Sequence, residues 1–316
     1  MAEPKASYWA DDYVEKQTTL TQAIDRIKNG QRVFIGSYCG EPQYLVQGLA
    51  EASKRFSDLE IIRLMSQETT SLSAIANRTK DQSLYIRSIY LGSAKSDELA
   101  DNLRFYMPVN VAEVPSLFKS RRIPLEAALI QVTPPDDFGW MSFGVSVDVT
   151  LAAARSADLV IAQVNDRMPR VYGQSFIHVN NVDLIVAHDE DLLTIEPFRE
   201  SEAATLIGQH IAGLIEDGST IQLGLDAASQ ATTRALHDKN DLGVHSYFLT
   251  DNIMHLYATG VVNNRKKGYN DGKIVAGCAI GSSSLYEFLD KNPGIDFYPF
   301  DVVADIDVIS RHNKMV

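Results

Sequence analysis

Only two cysteines, Cys39 and Cys278, occur in 316 residues. They stand far apart in the apolar stretches FIGSYCG and IVAGCAIG. That spacing excludes a disulfide framework, and a metal centre would need more ligands set closer together, so two buried thiols in a reducing compartment are expected. No run approaches the roughly 20 apolar residues that span a bilayer. The N-terminal MAEPKASYWADDYVEKQ is acidic and polar, without the apolar core of a signal peptide. These absences predict a cytoplasmic protein. Positive charge is also in deficit: 29 Lys and Arg against 41 Asp and Glu give a net charge of −12. A surface of that sign repels phosphate at long range, which argues against nucleic-acid or membrane partners but allows an anionic ligand in a local basic pocket.

Several catalytic signatures are missing as well. The turn Gly224-Leu225-Asp226 lacks the second and third glycines of a dinucleotide fingerprint, and no P-loop occurs. Gly144-Val145-Ser146-Val147-Asp148 fails the last position of a serine nucleophile elbow, which leaves Ser146 as an expected helix N-cap. The seven histidines are scattered, with no i, i+4 pair beside a carboxylate. No metal is expected.

What is present is an alternation of strands and helices. Arg32–Gly36, Leu59–Leu64, Tyr85–Tyr90, Pro108–Val111, Leu125–Val132, Leu159–Val164 and Asn181–Ala187 read as strands. Thr21–Asn29, Gln43–Ser53, Asp97–Phe105, Glu113–Lys119 and a segment through Ala157 read as helices between them. The pattern predicts an α/β fold with parallel sheets covered on both faces. The charged, Pro197-containing stretch from His188 to Glu202 is the expected linker. It separates a first domain, 1–190, from a second, 203–316.

The second half is organised around DGSTIQLGLDAASQATTRALHDKNDLGVHSYFLTD, residues 217–251. Thr220–Leu223 predicts a strand, Gly224-Leu225-Asp226 a turn, Ala227–Leu236 a helix, and Gly243–Phe248 the next strand. Such a turn leaves N–H groups free between a strand's carboxyl end and a helix's amino end, where an anion or a developing oxyanion is favoured. Arg265-Lys266-Lys267 is the compact basic cluster of this half. It reads either as a solvated loop or as a docking point for a phosphorylated ligand.

Five stretches resemble the acetyl-CoA hydrolase/transferase family: IQVTPPDDFGWMSFGVSVDVT, VNDRMPRVYGQSFIHVNNVD, LIEDGSTIQLGLDA, KNDLGVHSYFLTDNIMHLYATGVVNN and SSLYEFLDKNPGIDFYPFDVV. The resemblance implies two α/β domains of the CoA-transferase type with a cleft between them. It implies ping-pong transfer of CoA between a short-chain acyl-CoA and a small carboxylic acid through a glutamyl-CoA thioester. Coenzyme A would then be a substrate, and the protein a homo- or hetero-oligomer. Leu225 falls where the family's oxyanion-donating N–H stands. Gln222, Gly224, Arg265, Lys266 and Lys267 become candidate CoA contacts, and Ser175, His178 and His245 candidate cleft residues.

The chain departs from the family at three points. Tyr247 occupies the place of the nucleophilic glutamate, and no glutamate occurs between Asp217 and Tyr286. Asp226 puts a carboxylate into a turn that is neutral in the family, where it would oppose an oxyanion. The family's second domain continues past the NKMV stretch, so the second domain is expected to be incomplete. The resemblance therefore implies either a transferase or hydrolase, or a catalytically impaired homologue that binds CoA or serves as a subunit beside a partner carrying the glutamate.

Overall fold

The strands of the computed structural model, which describes residues 8–66, 72, 84–89, 104–196 and 201–316, are short, and those over Ala127–Val132, Val160–Val164 and Ile274–Ala279 are buried along their whole length. In chain order they are β1 (Arg32–Ile35), β2 (Leu59–Arg63), β3 (Leu84–Ser88), β4 (Arg104–Tyr106), β5 (Ala127–Val132), β6 (Trp140–Ser142) and β7 (Val160–Val164). Then follow β8 (Tyr172–Gly173), β9 (Phe176–His178), β10 (Leu184–Ala187), β11 (Thr220–Ile221), β12 (Gly243–Leu249), β13 (Ile274–Ala279) and β14 (Ile295–Phe297).

Seven strands form one parallel sheet in the order β10-β7-β5-β1-β2-β3-β4. Five more form a second parallel sheet, β11-β12-β13-β14-β8. β6 and β9 pair as a separate antiparallel ribbon. Alternation along β1 decides which core each side chain joins. Phe34 faces the core shared with the second sheet, while Val33 and Ile35 face the helices Leu20–Ile24 and Gln43–Glu51 on the other side.

The two sheets are joined by a main-chain seam. Residues 145–148 cross between them: Val147 and Asp148 both donate to the Gly277 carbonyl, and Ala279 N–H donates to Val145. Ser146 was expected as a helix N-cap; instead its Oγ donates to Ser37 O at 2.8 Å and accepts from Gly40 N–H. The helix Thr150–Ser156 is bonded at its start by Asp148, whose Oδ1 accepts the Thr150 N–H at 2.8 Å. Met315 and Val316 run parallel to β11, with Val316 N–H donating to Thr220 and Val316 O accepting from Gln222.

Other expectations need correction. Pro108–Val111 is not a strand, because Asn110 Oδ1 accepts the Ala112 N–H and starts a 3-10 turn. The helix expected over 97–105 lies outside the described residues up to 103, and Arg104–Tyr106 extends the sheet instead. Trp9–Lys16, within the stretch read as acidic and polar and given no element, is a helix whose Trp9 and Tyr13 pack on the core. Among the described residues no helix is long and apolar enough to cross a membrane.

Candidate active site

In the seven-stranded sheet, chain order runs outward from β1 in one direction and from β5 in the other. The carboxyl ends of strands at such a switch point form a crevice where ligands of open parallel sheets bind. Here the loop after β1, Ser37 to Glu41, meets the carboxyl end of β12 from the second sheet. Tyr38 takes a left-handed backbone, φ 54°, with its N–H bonded to Met65 O. Its ring lies 5.6 Å from Phe248 and 6.5 Å from Phe300.

Phe300 is fully buried and gathers the cluster. Its ring stands 4.9 Å from Tyr247, nearly perpendicular to it, and 6.2 Å from Phe248. Gly277 makes this possible, because a Cβ there would fall 2.3 Å from Phe300 Cε1. Tyr247 and Phe248 are half-buried, with rims open to solvent. The Tyr247 hydroxyl has no hydrogen bond among the described residues, and burial raises its pKa above the ordinary phenol value.

The glycine turn stands beside this wall. β11 pairs with the start of β12, so residues 222–225 run alongside Ser246 and Tyr247. Ser246 Oγ accepts the Leu223 N–H and donates to Leu223 O. Leu225 N–H has no acceptor among the described residues. Gly224 is not in the left-handed region. It serves by closeness, since a Cβ there would lie 3.0 Å from Asp226 Oδ2 and 3.1 Å from Ser229 Oγ.

Asp226 does more than charge the turn. Its side chain accepts from Ala228 N–H, Ser229 N–H and Ser229 Oγ at 2.9, 3.0 and 2.6 Å, capping the helix Ala227–Ala235. The Ser229 hydroxyl above all holds its pKa below the usual carboxylate value. The anion place at this helix start is thus filled by the chain's own carboxylate.

The other candidate residues lie elsewhere. His245 is buried, with Nε2 2.7 Å from Val303 O and its ring 4.4 Å from that of His312; burial lowers its pKa. It is not a cleft residue. Ser175 is buried with Oγ on Val171 O, and His178 sits in the β6–β9 ribbon against Trp140 and Phe138 O. Neither joins the wall.

The basic cluster splits, and it stands at the amino end of β12, about 10–13 Å of extended strand from the part of β12 beside the turn. Arg265 is exposed, and Lys266 pairs with Asp241 at 2.6 Å. Lys267 is fully buried, its Nζ donating to Val244 O and Lys273 O, and burial brings its pKa down to about 7. A lysine folded into the core cannot meet a phosphate in solvent, so Lys267 is not a docking residue.

Sequence reasoning did not find Tyr38, Phe248 and Phe300. Each looks like an ordinary core aromatic along the chain, and only the junction of two sheets unites them. A cavity of about 830 Å³ opens nearby between Thr133 and Arg170 on one side and Tyr286 and Lys291 on the other. Its arginines are already matched, Arg170 by Asp136 and Arg167 by Asp191.

Comparison with known proteins gives one consistent answer. The family model of the acetyl-CoA hydrolase/transferase N-terminal domain matches residues 1–197. The chain is 38% identical over 308 residues to 4-hydroxybutyrate coenzyme A transferase of Clostridium kluyveri, covering 98% of this chain and 71% of that protein. It is 32% identical to a succinyl-CoA:acetate/propanoyl-CoA:succinate CoA transferase of Fasciola hepatica, covering 92% of this chain and 60% of the relative. Among solved structures, RipA from Yersinia pestis superposes with a TM-score of 0.89 at 28% identity, over 98% of this chain and 74% of that one. A 4-hydroxybutyrate CoA-transferase from Porphyromonas gingivalis gives 0.81 at 30% identity, over 98% and 73%. The chain therefore spans 60% to 74% of the length of these relatives.

Proposed function

The chain belongs to the acetyl-CoA hydrolase/transferase family, and on that premise we propose that it binds short-chain acyl-CoA at the Tyr38–Tyr247 cleft without forming a glutamyl-CoA intermediate of its own. The observation that carries this reading is Tyr247, a phenol at the carboxyl end of β12 where the family resemblance puts the nucleophilic carboxylate.

The difference is one of bonds made and broken. A carboxylate attacking a thioester gives an anhydride and free thiolate, and the thiolate can return to leave CoA on the protein. A phenol oxygen attacking the same thioester would give an aryl ester and release CoA, with the phenol proton passing to the departing sulfur. CoA itself is never retained, so it has no route to a second acid. Burial also raises the phenol pKa, which lowers the fraction of reactive phenolate.

The two titratable neighbours on β12 and the turn, His245 and Asp226, are already engaged. His245, two residues away, is turned to Val303 O under helix Phe300–Val303. Asp226 is committed to the helix start. What the cleft retains is the means to hold a thioester: the unpaired Leu225 N–H, the Tyr247 hydroxyl, and an apolar wall for the acyl group.

The test is intact-protein mass spectrometry after incubation with acetyl-CoA, with and without borohydride, together with calorimetry. The expected result is heat of CoA binding and no covalent adduct. An adduct of CoA mass, lost on borohydride reduction, would mean that a carboxylate elsewhere does the chemistry and would sink the reading. Tyr247→Glu supplies the positive control.

A further inference from the structure

We propose that the wall of Tyr38, Tyr247, Phe248 and Phe300, with Leu223 and Leu225 of the turn, makes this cleft selective for apolar acyl groups over carboxylated ones among CoA thioesters. This rests on the acyl-CoA reading and adds the class of acyl chain.

Four rings converge within 6.5 Å of Phe300 or of one another; Tyr38 and Phe300 form the buried backing, and Tyr247 and Phe248 are only half-buried. Leu223 and Leu225 are partly buried against the same core. A thioester carbonyl held near Leu225 N–H and the Tyr247 hydroxyl therefore directs its acyl chain onto hydrocarbon. Each methylene placed there leaves water, worth about a fourfold gain in affinity per CH₂.

The charges oppose a second carboxylate. Asp226 lies on the turn itself, ionised and exposed. Among the described residues no arginine or lysine lies over the rings of Tyr247, Phe248 or Phe300. Lys119, which reaches toward the helix bearing Phe300, is paired with Asp301 at 2.6 Å. A succinyl carboxylate would lose water to face rings and a like charge, with no cationic partner over those rings among the described residues.

The experiment is calorimetry with free CoA, acetyl-, butyryl-, hexanoyl- and succinyl-CoA on the wild-type chain and on Phe248→Ala. Affinity is expected to rise about twofold to fourfold per methylene from acetyl to hexanoyl, with succinyl-CoA binding no tighter than acetyl-CoA. Phe248→Ala, with an unchanged circular dichroism spectrum, should flatten the series to less than half its slope. A flat wild-type series, or succinyl-CoA as the tightest ligand, would overturn the inference while CoA binding upheld the broader reading. Failure of every ligand, free CoA included, would overturn both.

Discussion

The two ends of β12 differ in what they contain and in what they can do. The amino end holds the chemically eventful side chains: Lys267, His245 and His312, close together and shut away from solvent. The carboxyl end holds rings, a glycine turn and an unbonded amide. A reading by residue type would choose the amino end as the site. Geometry chooses the other, because parallel strands open their crevice at their carboxyl ends, and the turns and helix starts that follow direct free N–H groups toward it. At the amino end the same chemistry is spent on packing. Lysine ties two carbonyls together, and one imidazole bonds a helix carbonyl.

The most severe way to break this contrast is Lys267→Ala. It leaves Val244 O and Lys273 O unpaired and opens a cavity, so a loss of about 3–5 kcal/mol is expected in urea unfolding. CoA affinity of the folded fraction should not change. If stability were intact and CoA binding lost, the assignment of the two ends would be reversed.

A second effect comes from pH. The pKa of His312 is lowered to about 4 from 6.5, first by burial and then by His245. The unfolded state therefore takes up a proton more readily than the folded one. The contribution is fully present above pH 6.5 and is lost as pH falls toward 4, by about 2–3 kcal/mol. Lys267 has the same sign at higher pH, since its folded value of about 7 lies below the ordinary lysine value. Urea midpoints should rise from pH 4 to pH 7, and the difference profile against His312→Phe should isolate the histidine. A His312→Phe profile parallel to wild type would show that His312 does not change its protonation on folding.

At the carboxyl end effects on stability are smaller and effects on binding larger. Asp226→Ala removes the cap of helix Ala227–Ala235, costing about 1 kcal/mol by thermal melting. The same change vacates the helix start, so affinity for acyl-CoA should rise. Reduced affinity would show that Asp226 helps binding. The smallest effect is expected for Arg265→Ala, which should alter CoA affinity by less than twofold in a salt titration. A tenfold loss would return the basic loop to the site.

Most of the strand–helix alternation was legible in the chain, because buried parallel strands are short apolar runs with clear breaks. The glycine turn and the position of Tyr247 were legible too, since both are local. What the chain could not disclose depends on register and side-chain direction. Lys266 and Lys267 are neighbours in sequence, yet one points to solvent and the other into the core. His245 and Tyr247 share one face of β12, and helix Phe300–Val303 meets both, Val303 bonding the first and Phe300 stacking on the second. That helix is some fifty residues further along, beyond any local signal. The helix Trp9–Lys16 escaped for the opposite reason: with no fully buried residue, its pattern resembles solvated chain.

The seam at residues 145–148 has a mechanical consequence. Three main-chain hydrogen bonds rivet the second sheet to a segment that is itself fastened to the loop bearing Tyr38 through Ser146. Swinging one half against the other like jaws would shear those rivets together. On the proposed acyl-CoA reading, admission of the ligand is then expected to be local, at the half-buried Tyr247 and Phe248 rings and the turn beside them, while the frame behind them stays still.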